Sequence, residues 1–280
     1  MTPSPVFLPL RELATLVRTR RVSPVALAEE FLDRLKAFGP RYNAVVTVTR
    51  DRALAEARRA EAEIAAGAWR GPLHGIPYGA KDLLATGGGV PTTWGAAPLR
   101  RQVFETDATV VRRLEAAGAV LAAKLAMVEL AGGAGYRQPR ASFTGPGRSP
   151  WGDDAWSGGS SSGSASAVAA GLVPYALGSE TWGSIVSPAA NCGVTGLRPT
   201  LGRVSRHGAM ALSWSLDKIG PLGLTADDCG LVLDAIAGPD PLDPSAVDRA
   251  FRYEAEDAPG RRFRFGVLRA AAEVADTDVR

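Results

Sequence analysis

Cysteine, histidine and lysine are all scarce in this 280-residue chain, and each scarcity excludes something. The two cysteines, Cys192 and Cys229, are too few and too far apart for a disulfide framework or a CxxC metal site. The two histidines, His74 and His207, leave a zinc ion dependent on carboxylates with no recognisable spacing, so no metal is expected. No apolar run approaches the ~20 residues of a membrane span. The first ten residues carry Pro3 and Pro5 and no basic region, unlike a signal peptide. The balance of 32 Lys+Arg against 29 Asp+Glu leaves +3, too little to imply a nucleic-acid partner. A soluble protein in a reducing, cytoplasmic setting is the expectation, without membrane contact.

What is present is enough apolar material for a sizeable core. Hydrophobic residues make up 46% and charged residues 22%, which argues against disorder. Ser23-Pro24 reads as a helix start, a capping hydroxyl followed by a proline where no N–H is needed. Leu27, Phe31, Leu32, Leu35 and Phe38 follow at helical spacing, with Gly39-Pro40 as the expected end. Tyr42 to Thr49 reads as a strand, Asp51 to Ala66 as a helix closed by Gly67, Thr106 to Ala117 as a helix closed by Gly118, and Val120 to Ala123 as a short buried strand. From Gly132 to Gly196 glycine, serine and proline dominate. Ala165 to Ala170 and Val173 to Leu177 interrupt that stretch as a buried helix and a strand, so it reads as a tight centre where backbone approaches backbone or ligand. Thr225 to Ile236 is a further helix and Phe263 to Leu268 a further strand. This alternation predicts an α/β fold with a mixed β-sheet covered by helices on both faces. The Arg pairs at 20–21, 58–59, 100–101 and 112–113 read as solvated faces. Ala275 to Arg280 starts like a helix and stops, either a frayed tail or a chain cut within an element.

Three segments are candidates for chemistry: Gly75 to Asp82 (GIPYGAKD), Ser157 to Ala165 (SGGSSSGSA) and Gly178 to Ile185 (GSETWGSI). Only four of the 32 basic residues are lysines, namely Lys36, Lys81, Lys124 and Lys218. Lys81 sits in an apolar setting, and lysine, unlike arginine, sheds its proton when buried. On spacing alone, an ion pair with Asp82 or another carboxylate competes with a catalytic role. The serine cluster opens a helix and is either an anion cradle or a flexible loop; it lacks the Gly-Lys-Ser/Thr of a P-loop and the glycine order of a dinucleotide site. Ser184 follows Gly183 in a second tight turn whose N–H groups are placed for an oxyanion hole. A Ser-His-Asp triad would need His74 or His207, neither in a G-x-S-x-G motif; both read as packing or hydrogen-bonding residues. Cys192 and Cys229 read as small buried hydrophobes.

Taken together, the three segments resemble the amidase signature family. The lysine segment is similar to its GIP-x-x-x-KD, the serine cluster to its GGSSGGSA, and Thr181 to Ala189 to its TGGSI-x-x-PA. Ser160 and Ser184 lie 24 residues apart, the family's interval between its catalytic serines. Asn191 to Gly202, Asp217 to Leu222 and Ala235 to Asp240 also resemble the family, and the likeness runs from about Leu10 to about Asp276. It implies an amidase-signature fold in which Lys81 is the general base, Ser160 the bridging serine with a cis peptide bond, and Ser184 the acyl-forming nucleophile. The backbone N–H groups of Thr181, Trp182, Gly183 and Ser184 would form the oxyanion hole, and no cofactor is implied.

Trp182 stands where the family usually has Gly, which would strain it if that position needs positive φ; its indole either shapes the acyl pocket or packs as core. Val186 replaces a frequent Arg and Ser162 a Gly. Family members run longer, so the expectation is one amidase-signature domain over 1–280 whose C-terminal portion is missing. The implied substrate is a small-molecule amide, with a homodimer or a partner subunit covering exposed apolar surface. The alternatives are a glutaminase-like A subunit of a tRNA-dependent amidotransferase, using the same triad, and an inactive truncated fragment.

Overall fold

The structure is a computed structural model that describes residues 5–132, 142–152, 154–249 and 251–254, with Arg264 and Gly266. Its helices are α1 (Leu10–Arg18), α2 (Pro24–Tyr42), α3 (Arg50–Ala65), α4 (Thr109–Ala116), α5 (Ser162–Ala169), α6 (Val186–Cys192) and α7 (Ala226–Ile236). Its strands are β1 (Val45–Val48), β2 (Pro77–Lys81), β3 (Val120–Leu125), β4 (Tyr175–Glu180), β5 (Thr195–Gly196) and β6 (Lys218–Gly223). They form one sheet in the order β1-β3-β2-β4-β6-β5. The central trio β3, β2 and β4 is parallel, and β1, β6 and β5 join antiparallel. The mixed sheet expected from the sequence is what forms.

Strand side chains alternate between two cores, as the period of two demands. Tyr78, Ala80, Leu121, Tyr175, Leu177 and Ile219 face a core closed by α1, α4 and α7, with Leu13, Val17, Leu114, Val232 and Ile236 among its members. Val120, Ala122, Leu125, Ala176 and Leu222 face the other core, closed by α2, α3, α5 and α6 through Leu32, Leu35, Ala57, Val168 and Cys192. Small residues dominate the second core, which lets α5 lie close under the sheet. A Cβ on Gly163 of α5 would stand 2.4 Å from the Ala44 carbonyl oxygen and 2.5 Å from the Ala126 nitrogen.

Several boundaries follow the expected chemistry. The Ser23 hydroxyl accepts from the N–H groups of Val25 and Ala26, both at 3.1 Å. Thr225 and Asp228 form a reciprocal capping box at the start of α7. Gly67 and Gly118, at φ 83° and 80°, follow α3 and α4. Other expectations fail for physical reasons. Helix α2 runs through Gly39-Pro40 to Tyr42, because a proline in the last turn forfeits only one intrahelical bond and Asn43, left-handed at φ 50°, supplies the actual cap. Strand β3 continues past Ala123 to Leu125. Arg112 and Arg113 are half-buried rather than solvated: the Arg113 guanidinium donates to the carbonyls of Ile236, the last residue of α7, and of Gly238 and Pro239 just after it. The expected strand Phe263 to Leu268, apart from Arg264 and Gly266, and the tail Ala275 to Arg280 lie outside the described residues.

Candidate active site

Two neighbouring parallel strands, β2 and β4, end at the same edge of the sheet, the edge where α/β folds place their sites. Lys81 is the last residue of β2 and Glu180 the last of β4. Helix α5 packs beneath both strands, so the serines at its N-terminal end reach the same edge.

Lys81 is completely buried. Its Nζ lies 2.7 Å from Ser160 Oγ, 2.9 Å from Ser161 Oγ and 2.9 Å from Ser179 Oγ, with the Ser179 carbonyl at 3.4 Å. Every one of these partners is neutral. Burial drives the Lys81 amine well below the ordinary lysine pKa; the negative charges of Asp217 and Glu180 oppose the shift without cancelling it. The ion pair with Asp82 that the sequence left open does not form. Asp82 turns instead toward Lys124, 3.2 Å away and equally buried.

The serine loop is fixed by its backbone. The Gly159–Ser160 peptide is cis. The Ser160 carbonyl accepts from the Val128 N–H at 3.0 Å, and the Ser161 N–H donates to the Ser184 carbonyl at 3.2 Å, tying the two serine segments together. Gly158, at φ 77°, passes so close to α6 that a Cβ would stand 2.9 Å from Pro188 Cα. The loop is therefore ordered and buried, which removes the flexible-loop alternative.

The turn between β4 and α6 is organised by Glu180. Its carboxylate accepts from the N–H groups of Ile185 (2.7 Å) and Val186 (2.9 Å) and from Arg198 (3.1 Å). Burial alone would raise this carboxyl, but the N–H groups of Val186, Ile185 and Gly183, together with Arg198, hold it below the usual range. Thr181 donates a hydrogen bond from its hydroxyl to Asp217, and Lys218 Nζ donates to the Thr181 carbonyl at 3.1 Å. Gly183, not Trp182, takes the left-handed conformation, at φ 87°. Trp182 is thus unstrained, and it is 87% exposed, so the core alternative for its indole is overturned.

A pocket of about 550 Å³ opens at this turn, lined by Gly132, Thr181, Trp182, Gly183, Ser184, Ser187 and Leu212. The nucleophile candidate and all four proposed oxyanion residues therefore share one cavity wall. Neither histidine lines it. His74 is buried under Trp69 with Nε2 3.1 Å from Glu63, and burial, opposed by Glu63, lowers its pKa. Cys192 and Cys229 are buried free thiols, both pushed up to about 12 by desolvation. Among the described residues no group of three or more His, Cys, Asp or Glu side chains could hold a metal, and no helix is long and apolar enough to cross a membrane.

Sequence reading missed four supporting groups: Ser161, Ser179, Glu180 and Asp217. Only Glu180 left a signal, as an acidic residue at the end of an otherwise apolar strand. Comparison with known proteins agrees with the geometry. The A subunit of the glutamyl-tRNA(Gln) amidotransferase of Azoarcus sp. (strain BH72) is 49% identical over 249 residues, 89% of this chain and 50% of that protein. The protein of the same name from Methylococcus capsulatus is 47% identical, over 86% of this chain and 48% of its own length. Among solved structures, the native peptide amidase of Stenotrophomonas maltophilia superposes with a TM-score of 0.80 at 38% identity, covering 88% of this chain and 51% of that one. The corresponding amidotransferase A subunit of Thermotoga maritima gives 0.76 at 33% identity, covering 89% and 51%. The chain spans about half the length of the relatives it matches. With the amidase family model matching residues 26–280, and the lysine and both serine segments gathered at one sheet edge, the chain belongs to the amidase family.

Proposed function

We propose that this chain hydrolyses a carboxylic amide to the acid and ammonia or an amine through an acyl-enzyme on Ser184. The observation that carries this reading is the buried Lys81 amine, 2.7 Å from Ser160 Oγ and surrounded by hydroxyls rather than carboxylates. A neutral amine has two N–H donors and one lone pair. The hydroxyl oxygens of Ser161 and Ser179 take the two donors, which leaves the lone pair for the Ser160 proton. Lys81 then acts as base toward Ser160, and Ser160 toward Ser184.

Ser184 Oγ attacks the amide carbonyl carbon, and the N–H groups of Thr181, Trp182 and Ser184 receive the negative charge that develops on oxygen, the Gly183 N–H being held by the Glu180 carboxylate. The proton returns along the two serines to the leaving nitrogen as the C–N bond breaks. Water then enters, loses its proton along the same path and releases the acid. No cofactor is required by these steps. The chain is read as one amidase-signature domain, supported by the single sheet that runs from β1 to β6. Its two free thiols suit a reducing cytoplasm.

A second reading is supported by the names of its relatives. Relatives 43–49% identical to it carry the name of amidotransferase A subunits, so the same site would release ammonia from glutamine for a partner subunit. A serine-directed fluorophosphonate tests the shared chemistry. Ser184 is expected to be labelled in folded protein, and Ser184→Ala to abolish labelling and amide hydrolysis together. Labelling that survives this substitution sinks the assignment of the nucleophile. Hydrolysis that appears only with partner subunits and tRNA would select the second reading.

A further inference from the structure

The described residues that line the pocket beside Ser184 are uncharged. Trp182 exposes 87% of its surface and Leu212 46%, and both line the cavity. Leu212 lies over Gly132, where a Cβ would come within 3.1 Å of its Cδ2. Val186, 43% exposed, follows on the first turn of α6. Among the described residues, the charged side chains nearest the turn are already engaged. Asp217 accepts from the Thr181 hydroxyl and from the N–H groups of Leu212 and Ser213. Lys218 donates to the Thr181 carbonyl, and Arg206 donates to the Trp214 and Asp217 carbonyls and to Ser245. None of the described residues lining the cavity carries a charge.

We infer that this pocket selects an uncharged, apolar carboxamide, aryl or branched alkyl, whose acyl group lies between the Trp182 indole and Leu212. The inference rests on the amidase reading above and names the substrate class of that site. An indole face offers a wide apolar surface at little cost in side-chain entropy and stacks on aryl groups. A free amino-acid amide such as glutamine brings an ammonium and a carboxylate, and burying either without a partner is unfavourable. The Asp217 network contributes by holding Leu212 and the oxyanion turn in fixed relation, because one carboxylate bonds both segments.

The experiment compares kcat/KM for benzamide, propionamide and glutamine in the full chain and in Trp182→Ala and Leu212→Ala, with fluorophosphonate labelling of Ser184 measured in parallel. Benzamide is expected to exceed glutamine by at least about tenfold. Each substitution is expected to lower the benzamide-to-propionamide ratio by about tenfold, the size of one lost aromatic or aliphatic contact. Two variants are used because the ratio must fall on both walls. A labelled enzyme that prefers glutamine, or whose ratio is unchanged in either variant, overturns the inference and leaves the amidase reading standing. A folded chain with an unlabelled Ser184 and no hydrolysis of any amide overturns both.

Discussion

Replacing Lys81 with Met should abolish activity and at the same time remove a pH-dependent penalty on folding. Lys81 is fully buried among hydroxyls, and its pKa is driven well below the ordinary value by desolvation. In the unfolded chain the same amine titrates near 10.4. Between the folded and unfolded values, the unfolded chain therefore binds a proton that the native state does not. Stability must rise with pH across that window, by up to about 1.4 kcal/mol per pH unit, and level off above the unfolded value. Met fills a similar volume with no titratable group, so Lys81→Met loses this slope. The assay is urea unfolding of both proteins at pH 7, 8, 9 and 10, read as a difference. Taking the difference matters because Lys124, held at about 8 by burial against the pull of Asp82, adds a slope of its own that both proteins share. Wild type is expected to gain on the variant as pH rises, by up to about 1.4 kcal/mol per pH unit where the pH lies between the folded and unfolded values, while amide hydrolysis by the variant falls at least 10²- to 10⁴-fold, the usual worth of a general base. Parallel stability curves would mean that Lys81 titrates alike in both states. The amine would then be charged in the native site, and the proton path from Ser184 would have no acceptor.

Further outcomes follow from groups around the site. The buried Asp82–Lys124 pair should give a strongly non-additive cycle: Lys124→Met alone should cost about 3–5 kcal/mol by stranding a carboxylate, and adding Asp82→Leu should recover part of that loss in denaturant titrations. Gly163→Ala should prevent folding or lower the melting temperature sharply, because its Cβ would meet backbone on two sides, at the Ala44 oxygen and the Ala126 nitrogen; a variant with the wild-type melting temperature would refute the close approach of α5. Cys192 and Cys229, with pKa values pushed up to about 12, should resist a thiol reagent at pH 8 in the native state and both react in denaturant; fast labelling of either under native conditions would contradict the burial of α6 or α7.

The candidate site was legible in the sequence to the extent that the proposed chemistry constrains residue type. A relay needs a lysine and two serines, so Lys81, Ser160 and Ser184 stood out, and glycine had to flank them where backbone passes within contact distance of α6. What stabilises them was not legible, since hydroxyls and carboxylates look alike in sequence whether they face solvent or a partner. Ser161 and Ser179 differ from other serines only because β2, β4 and α5 bring them within 2.9 Å of one amine. Asp82 and Lys124 illustrate the same limit. Adjacency in sequence pointed Asp82 toward Lys81, but β2 ends at Lys81 and Asp82 already belongs to the turn that follows it. Asp82 therefore leaves on the side away from the serines and finds Lys124, which β3 supplies from the neighbouring parallel strand. The two buried lysines thus divide two tasks that the sequence could not separate. Lys124 neutralises the carboxylate adjacent to Lys81 in the chain, and that neutralisation is what leaves Lys81 in contact with hydroxyls, where an amine can lose its charge. For the proposed base Lys81, an aspartate next in sequence is no obstacle, because the fold assigns that aspartate to a different cation.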